Sequence, residues 1–349
     1  MLFRLASRAT LAGAALTSLV ACGGAQSTTT AGTGAAVAAQ PLKSGLDRAN
    51  FDASVRPQDD LYRAINGGWL AKTEIPADKS NYGAFTELAD TAEAQLRVIV
   101  EEAAADNTAD PSSEARKVGD FYASWLDEAR LQTLGIKPLA AAFARIDALT
   151  DKKALPALMA EFGRAGVRMP LIPFVSQDDK DSTQMIGVFE QGGLGLPERD
   201  FYLQNDAKFT ALRKAYQAHI AKMWALTGSR DGAKAAATIV AIETKIATAH
   251  WDKVRNRDPI ATYNKIDSAG LAKLSVGFDI GAYAKEVGFG ALPAVLVRQP
   301  SFARAMGALV VATPLPAWKQ YLRWHVLSSA ASLLSKPFVD EDFDFFQKT

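Results

Sequence analysis

Apolar residues that return every three or four positions can be buried together only if the chain coils into helices, and that spacing dominates this sequence. It runs through Leu88, Ala92, Leu96, Ile99 and Ala103, then through Val118, Phe121, Tyr122, Trp125 and Leu126. It returns at Leu155, Leu158, Met159 and Phe162, at Phe209, Leu212, Tyr216, Ile220 and Met223, and at Ile239, Ile242 and Ile246. Each stripe predicts a helix with its apolar face on a core. Asp110 is expected to cap the second of these helices and Pro111 to sit in its first turn. Period-two runs at Met169 to Val175 and Ser182 to Glu190, joined by the polar stretch 176–181, predict one hairpin. The fold class is therefore mainly α, a multi-helix lobe with a small β-hairpin insertion. Asp178, Asp179 and Asp181 lack the glycine and closing glutamate of a calcium loop and are expected to form a solvated turn.

The first residues have a different job. Arg4 and Arg8 precede a short apolar stretch from Ala9 to Val20, the pattern of a secretory signal and too short to span a bilayer. The stretch ends in Leu19, Val20, Ala21 and Cys22, which looks like a bacterial lipobox; the alternative is a chance cysteine in an ordinary signal peptide. Cys22 is the only cysteine of the 349 residues, so no intramolecular disulfide can form. Residues 1–21 are thus expected to be removed and Cys22 lipidated, each buried methylene of the acyl chains adding about 0.8 kcal/mol of membrane affinity. Gly23 and Gly24 follow the cysteine where inner-membrane lipoproteins tend to carry aspartate, so the expected location is the outer membrane, facing the periplasm. Residues 22–45 are mostly Gly, Ala, Ser, Thr and Gln and are expected to form a flexible tether. Residues 46–349 are expected to be the folded body. Loss of Arg4 and Arg8 takes the formal charge from 39 − 38 = +1 to 37 − 38 = −1. A near-neutral chain has no footprint for a polyanion, which argues against nucleic acid as a partner.

The residue types that carry chemistry are sparse. A catalytic zinc needs three protein ligands, and helical metalloproteases place two histidines one turn apart. The three histidines here, His219, His250 and His325, are far apart, and none stands in HExxH. His219 and His325 lie among apolar neighbours and are read as core histidines. Glu243 and His250 are seven residues apart, on one helix face, which permits a structural hydrogen bond at most. No serine stands in a G-x-S-x-G elbow. The glycine-rich stretch Gln191 to Gly195 is followed by Pro197 and reads as a tight structural loop, not a phosphate cradle. Asp59 and Asp60 are expected to cap the helix from Tyr62 to Trp69.

Four blocks of this sequence resemble the neprilysin-like zinc metallopeptidases, in the family's order. The first is residues 55–93, with Asp59, Asp60, Tyr62, Asn66, Gly67 and Trp69 followed by Tyr82, Gly83 and Phe85. The second is residues 191–203, with Gly195, Pro197, Arg199 and Asp200; the third runs from His250 and Trp251 to Lys265; the fourth is residues 334–338. The resemblance covers nearly all of 46–349 and implies the N-terminal lobe that caps the cavity of a two-lobed peptidase. It gives the residues just named a structural role and carries over no catalytic or metal-binding residue. Zinc, the HExxH helix and the substrate-binding segment belong by resemblance to the C-terminal half. Where neprilysin-type members meet a peptide's C-terminal carboxylate with two arginines, this sequence has Asn81 and Ala89, so carboxylate capture in that manner is not expected.

The resemblance implies peptide substrates, reached through the complete enzyme, and a catalytic lobe supplied in cis or in trans, with no cofactor bound by this chain. Phe338, Phe343, Phe345 and Phe346 crowd the last dozen residues and are expected to need further chain to bury them. The other reading is a freestanding, non-catalytic lipoprotein that binds peptides or serves as a scaffold.

Overall fold

The computed structural model describes residues 44–348; the expected signal peptide, Cys22 and all but the last two tether residues lie outside the described residues. Within them the helices are α1 Leu61–Lys72, α2 Ala84–Ala105, α3 Glu114–Leu126, α4 Glu128–Leu134, α5 Ala140–Asp147 and α6 Leu155–Arg164. After strands β1 Leu171–Asp178 and β2 Asp181–Gln191 come α7 Asp200–Leu203, α8 Ala207–Leu226 and α9 Gly232–Ala249. The chain continues through β3 Lys265–Asp267, α10 Ser268–Leu274, α11 Ile280–Glu286, β4 Ala294–Val297, α12 Pro300–Ala312, α13 Leu315–Ala330 and α14 Lys336–Phe346. The fold is mainly α. No helix among the described residues is long and apolar enough to cross a membrane. Two compact units divide the chain, one ending at Asp90 and one beginning at Thr91.

In the first unit Asp60 caps α1, its carboxylate accepting from the Arg63 amide at 2.9 Å. Asp59 does not share that task; it is paired with Arg56, whose Nη2 donates to it at 2.7 Å. Gly67 lies where a Cβ would come within 2.5 Å of the Asp52 Cβ, so a side chain there would push the preceding loop off the helix. Tyr62 and Phe85 are exposed, Trp69 and Tyr82 half-buried, and the Asn66 amide donates to the Tyr62 carbonyl at 3.0 Å.

The second unit is built around α9, which packs on α8, α12 and α13, while α14 lies on α8. Tyr216, Trp318 and Trp324 are fully buried in this core, and burying side chains of that size is worth several kcal/mol each in area removed from water. The stripes of α6 and α9 face it as expected, as do Tyr216, Ile220 and Met223 of α8. The stripes of α2 and α3 do not. Leu96 and Ile99 on α2, and Val118, Phe121, Trp125 and Leu126 on α3, are exposed. Periodicity specifies that a helix has an apolar face, not that the described residues cover it. The start of α3 also differs: Ser113 caps it through the Arg116 amide, and Asp110 turns back onto Ser112 instead.

The hairpin forms, antiparallel, with a tighter turn than expected because Ser176 to Asp178 are still strand. It belongs to a four-stranded sheet in the order β1-β2-β4-β3, with β2 parallel to β4. Asp178 is no solvated turn residue. It is 3 % exposed and accepts from the Lys180 amide at 3.0 Å, the Tyr263 hydroxyl at 2.9 Å and Lys265 Nζ at 2.9 Å. These bonds, that of the Lys180 amide foremost and then that of Lys265, lower its pKa to about 2. At the end of the chain Phe338 and Phe345 are buried, whereas Phe343 and Phe346 are not, so two of the four rings find cover within the unit.

Candidate functional site

Where β2 ends, the chain passes through Gly192 to Leu196 and lines a cavity of about 710 Å³ in the second unit. Gly195, Pro197, Arg199, His250 and Trp251 meet around it, although some fifty residues separate the two groups in sequence. Asp200 opens α7 just beyond, and the singled-out residues between Asp59 and Phe85 belong to the first unit.

The glycine-rich loop is held from behind by hydrogen bonds to its backbone. The Tyr321 hydroxyl donates to the Gly193 carbonyl at 2.8 Å, and the Leu196 amide donates to the Tyr202 hydroxyl at 2.8 Å. Gly193 has φ 84°, a region that favours glycine. Gly195 lies against the Tyr216 hydroxyl so closely that a Cβ would come within 1.7 Å of it. Under the loop lies Glu243, fully buried, whose carboxylate accepts from Tyr202 at 2.8 Å and from Tyr216 at 3.1 Å. Tyr216 in turn accepts from the Trp324 indole at 2.8 Å. Burial first, and then the Glu243 charge, hold both phenols well above their ordinary pKa, so they remain donors to it.

His250 does not meet Glu243. The helix α9 ends at Ala249, His250 takes extended backbone angles, and its Nε2–H donates to the Gly192 carbonyl at 3.0 Å. Burial in this position pushes its pKa down to about 4, against the pull of the Gly192 carbonyl. Trp251 follows, its amide donating to the Gln191 side chain at 2.8 Å and its indole to Ser301 at 2.6 Å, with the Arg255 guanidinium 3.6 Å over its ring. Gln191 and Gln299 are fixed in the same lattice of bonds.

The other two histidines are core residues, as their sequence surroundings imply. His219 stacks on Phe345 at 4.6 Å and bonds Glu341 through Nδ1 at 3.1 Å; burial lowers its pKa. His325 Nε2 lies 3.0 Å from Glu243 but off the direction a hydrogen bond needs. Among the described residues no three His, Cys, Asp or Glu side chains converge as metal ligands. A catalytic zinc needs three such ligands at one point, and none of the histidines has two others beside it, so these residues do not fit a catalytic zinc.

The basic lining of the cavity has no signature in the sequence, where only Arg199 of its members stands out, as part of a resembling block. Arg168 comes from the loop after α6, Arg199 from the turn before α7, and Lys253 and Arg257 from the segment after α9. Four positions scattered over ninety residues have no common spacing, and only the fold brings them together.

The Peptidase family M13 model matches residues 57–349. Endothelin-converting enzyme-like 1 of Mus musculus is 28 % identical over 310 residues, which are 83 % of this chain and 39 % of that protein. The crystal structure of zinc metalloprotease Zmp1 of Mycobacterium tuberculosis in complex with inhibitor shares 39 % identity at a TM-score of 0.76, covering 87 % of this chain and 47 % of that one. PepO of Lactobacillus rhamnosis, 23 % identical with a TM-score of 0.62 over 83 % of this chain and 46 % of its own, has the same fold. The chain belongs to peptidase family M13, whose members are neprilysin-like zinc metallopeptidases, and corresponds to their N-terminal domain. It spans less than half the length of these relatives.

Proposed function

We propose that this chain is the cavity-capping N-terminal part of a membrane-tethered zinc metalloendopeptidase acting on peptides, and that zinc and catalysis belong to a second half supplied in cis or in trans. One observation carries the reading: the family match runs through residues 57–349, yet this chain covers only 39 % of the curated relative and 47 % of the zinc metalloprotease structure. The exposed stripes of α2 and α3 support it, since an apolar helix face of that extent is normally covered. The decisive assay is hydrolysis of an internally quenched peptide by the full chain with added zinc. No turnover and no stoichiometric zinc are expected; an active, zinc-loaded product would overturn the proposal. Immunoblotting of membranes with an antibody to residues 46–349 should show a native product well above 37.3 kDa if the second half is supplied in cis.

The tether is assigned to lipid on Cys22, with the protein in the outer membrane facing the periplasm. Replacement of Cys22 by serine should move the protein from the membrane to the soluble fraction; unchanged partition would remove the anchor from the reading. A freestanding peptide-binding or scaffold lipoprotein is the second reading, favoured by the burial of Phe338 and Phe345 within the unit. A native band at the size of this chain, free of a co-purifying partner, would favour it.

A further inference from the structure

The cavity beside the glycine-rich loop has a charge pattern that its structural role does not need. A guanidinium binds a carboxylate through charge-assisted, often bidentate hydrogen bonds, and 38 acidic residues are available in this chain. Among the described residues, however, Arg168, Arg199 and Arg257 have no carboxylate within ion-pair distance. Arg168 reaches only the Gly195 carbonyl, at 3.5 Å, and Arg199 only that of Ala247, at 3.4 Å. Asp342 feels the charge of Arg168, and Asp252 that of Arg199, from beyond that distance. Asp252 is also occupied, accepting from the Val254 and Arg255 amides at 2.9 Å each. Of the two acidic residues in the lining, Glu198 faces Lys253 at 3.6 Å, which leaves Glu190 as the one without an ion pair. Three unpaired guanidiniums against one unpaired carboxylate make the wall locally cationic in a chain of near-zero net charge.

We propose that this cavity is a carboxylate-binding subsite for peptides, in which the guanidiniums of Arg168, Arg199 and Arg257 receive either a free C-terminus or an aspartate or glutamate side chain. A guanidinium presents a planar fork that matches a carboxylate through two parallel bonds, and it keeps its charge at any working pH. Arg199 is half-buried at the loop, where water competes less for such a bond, while Arg168 and Arg257 are exposed and reach the ligand from the sides. Trp251 and Ile172 supply apolar wall for the residues flanking the carboxylate, and about 710 Å³ has room for a few residues of a peptide. Tyr202, Tyr321 and Glu243 hold the Gly193 to Leu196 backbone, whose Gly195 carbonyl Arg168 touches, in place before a ligand arrives.

The inference rests on the peptide-directed function above, and calorimetric titration of the full chain separates the two. The probes are acetyl-tetra-alanine with a free C-terminus, the same peptide as its amide, and acetyl-Ala-Glu-Ala-Ala amide. At least one of the two carboxylate peptides is expected to bind ten-fold or more tightly than the neutral amide, and which one does so identifies the source of the carboxylate. Arg257→Gln and Arg168→Gln, both at exposed positions that leave the core alone, should each erase most of that difference. Arg230→Gln, exposed and away from the cavity, should preserve it. Equal binding of acid and amide, or equal loss in Arg230→Gln, overturns the subsite while leaving peptide recognition standing. Absence of binding by all three peptides overturns the subsite as well, and leaves the cap reading to the hydrolysis assay and the immunoblot.

Discussion

Glu243 has the least room for substitution of any described charged residue, because its carboxylate is fully buried and satisfied by the Tyr202 and Tyr216 hydroxyls. Truncation to alanine would strand both phenols beneath the loop, and leaving buried donors unpaired in this way costs on the order of 3 kcal/mol. Glu243→Ala should lower the urea midpoint accordingly, with Glu243→Gln, which retains an acceptor, closer to the parent. Gly195→Ala should cost about 2 kcal/mol or more by the same measurement, since its methyl group would collide with Tyr216. His250 adds a pH dependence whose sign follows from burial. Its folded pKa, about 4, lies below the ordinary 6.5, so the unfolded chain binds the proton first. Stability from this residue is complete above pH 6.5 and falls as the pH drops from there towards 4, by up to about 3 kcal/mol. Replacing His250 by glutamine, which keeps a donor for Gly192, should flatten thermal unfolding over that window; an unchanged pH profile would assign the slope to other groups.

Elements were legible in the sequence to the extent that their signals were local. The helical stripes at Leu155 to Phe162 and Ile239 to Ile246 appear as α6 and α9 facing the core, because three-to-four spacing is enough to define both a helix and its inner face. β3 and β4, three and four residues long, gave too short a pattern to read and are specified by pairing with each other and with β2. The candidate site was legible in the glycine loop and in His250 and Trp251, which occur in recognisable strings. Arg168, Arg257 and the partners of Glu243 were not, because their proximity exists only after α8, α9 and α13 have packed. Asp178 belongs to this element scale, since it ties the β1–β2 turn to Lys265 at the start of β3. Its pKa is depressed to about 2, so its contribution is present above the ordinary carboxylate value and is lost as the pH falls from about 4 to 2. The gap in thermal midpoint between the parent and Asp178→Asn should therefore be widest above pH 4 and close towards pH 2. A gap of constant width would mean that the carboxylate charge contributes nothing to the tie.

For the whole molecule the decisive quantity is apolar surface left uncovered. Leu96, Ile99, Phe121 and Trp125 expose between 52 and 70 % of their surface. Beside the last two, Leu131, Leu333 and Val339 join Phe121 and Trp125 around a cavity of about 340 Å³. These side chains stabilise little where they stand, since most of their area never leaves water. The same exposure drives association with any apolar surface that fits, and the proposed function assigns that surface to the second half of the enzyme. Two consequences follow from the same physics and can be separated. Phe121→Lys with Trp125→Lys should change the unfolding free energy of this chain by less than about 1 kcal/mol, because exposed positions away from special contacts seldom cost more. The same pair should markedly reduce binding of an apolar dye and concentration-dependent self-association measured by sedimentation velocity. If the double variant instead unfolds at much lower denaturant, the α3 face is already packed in solution, and the place of the second half must be sought on another surface.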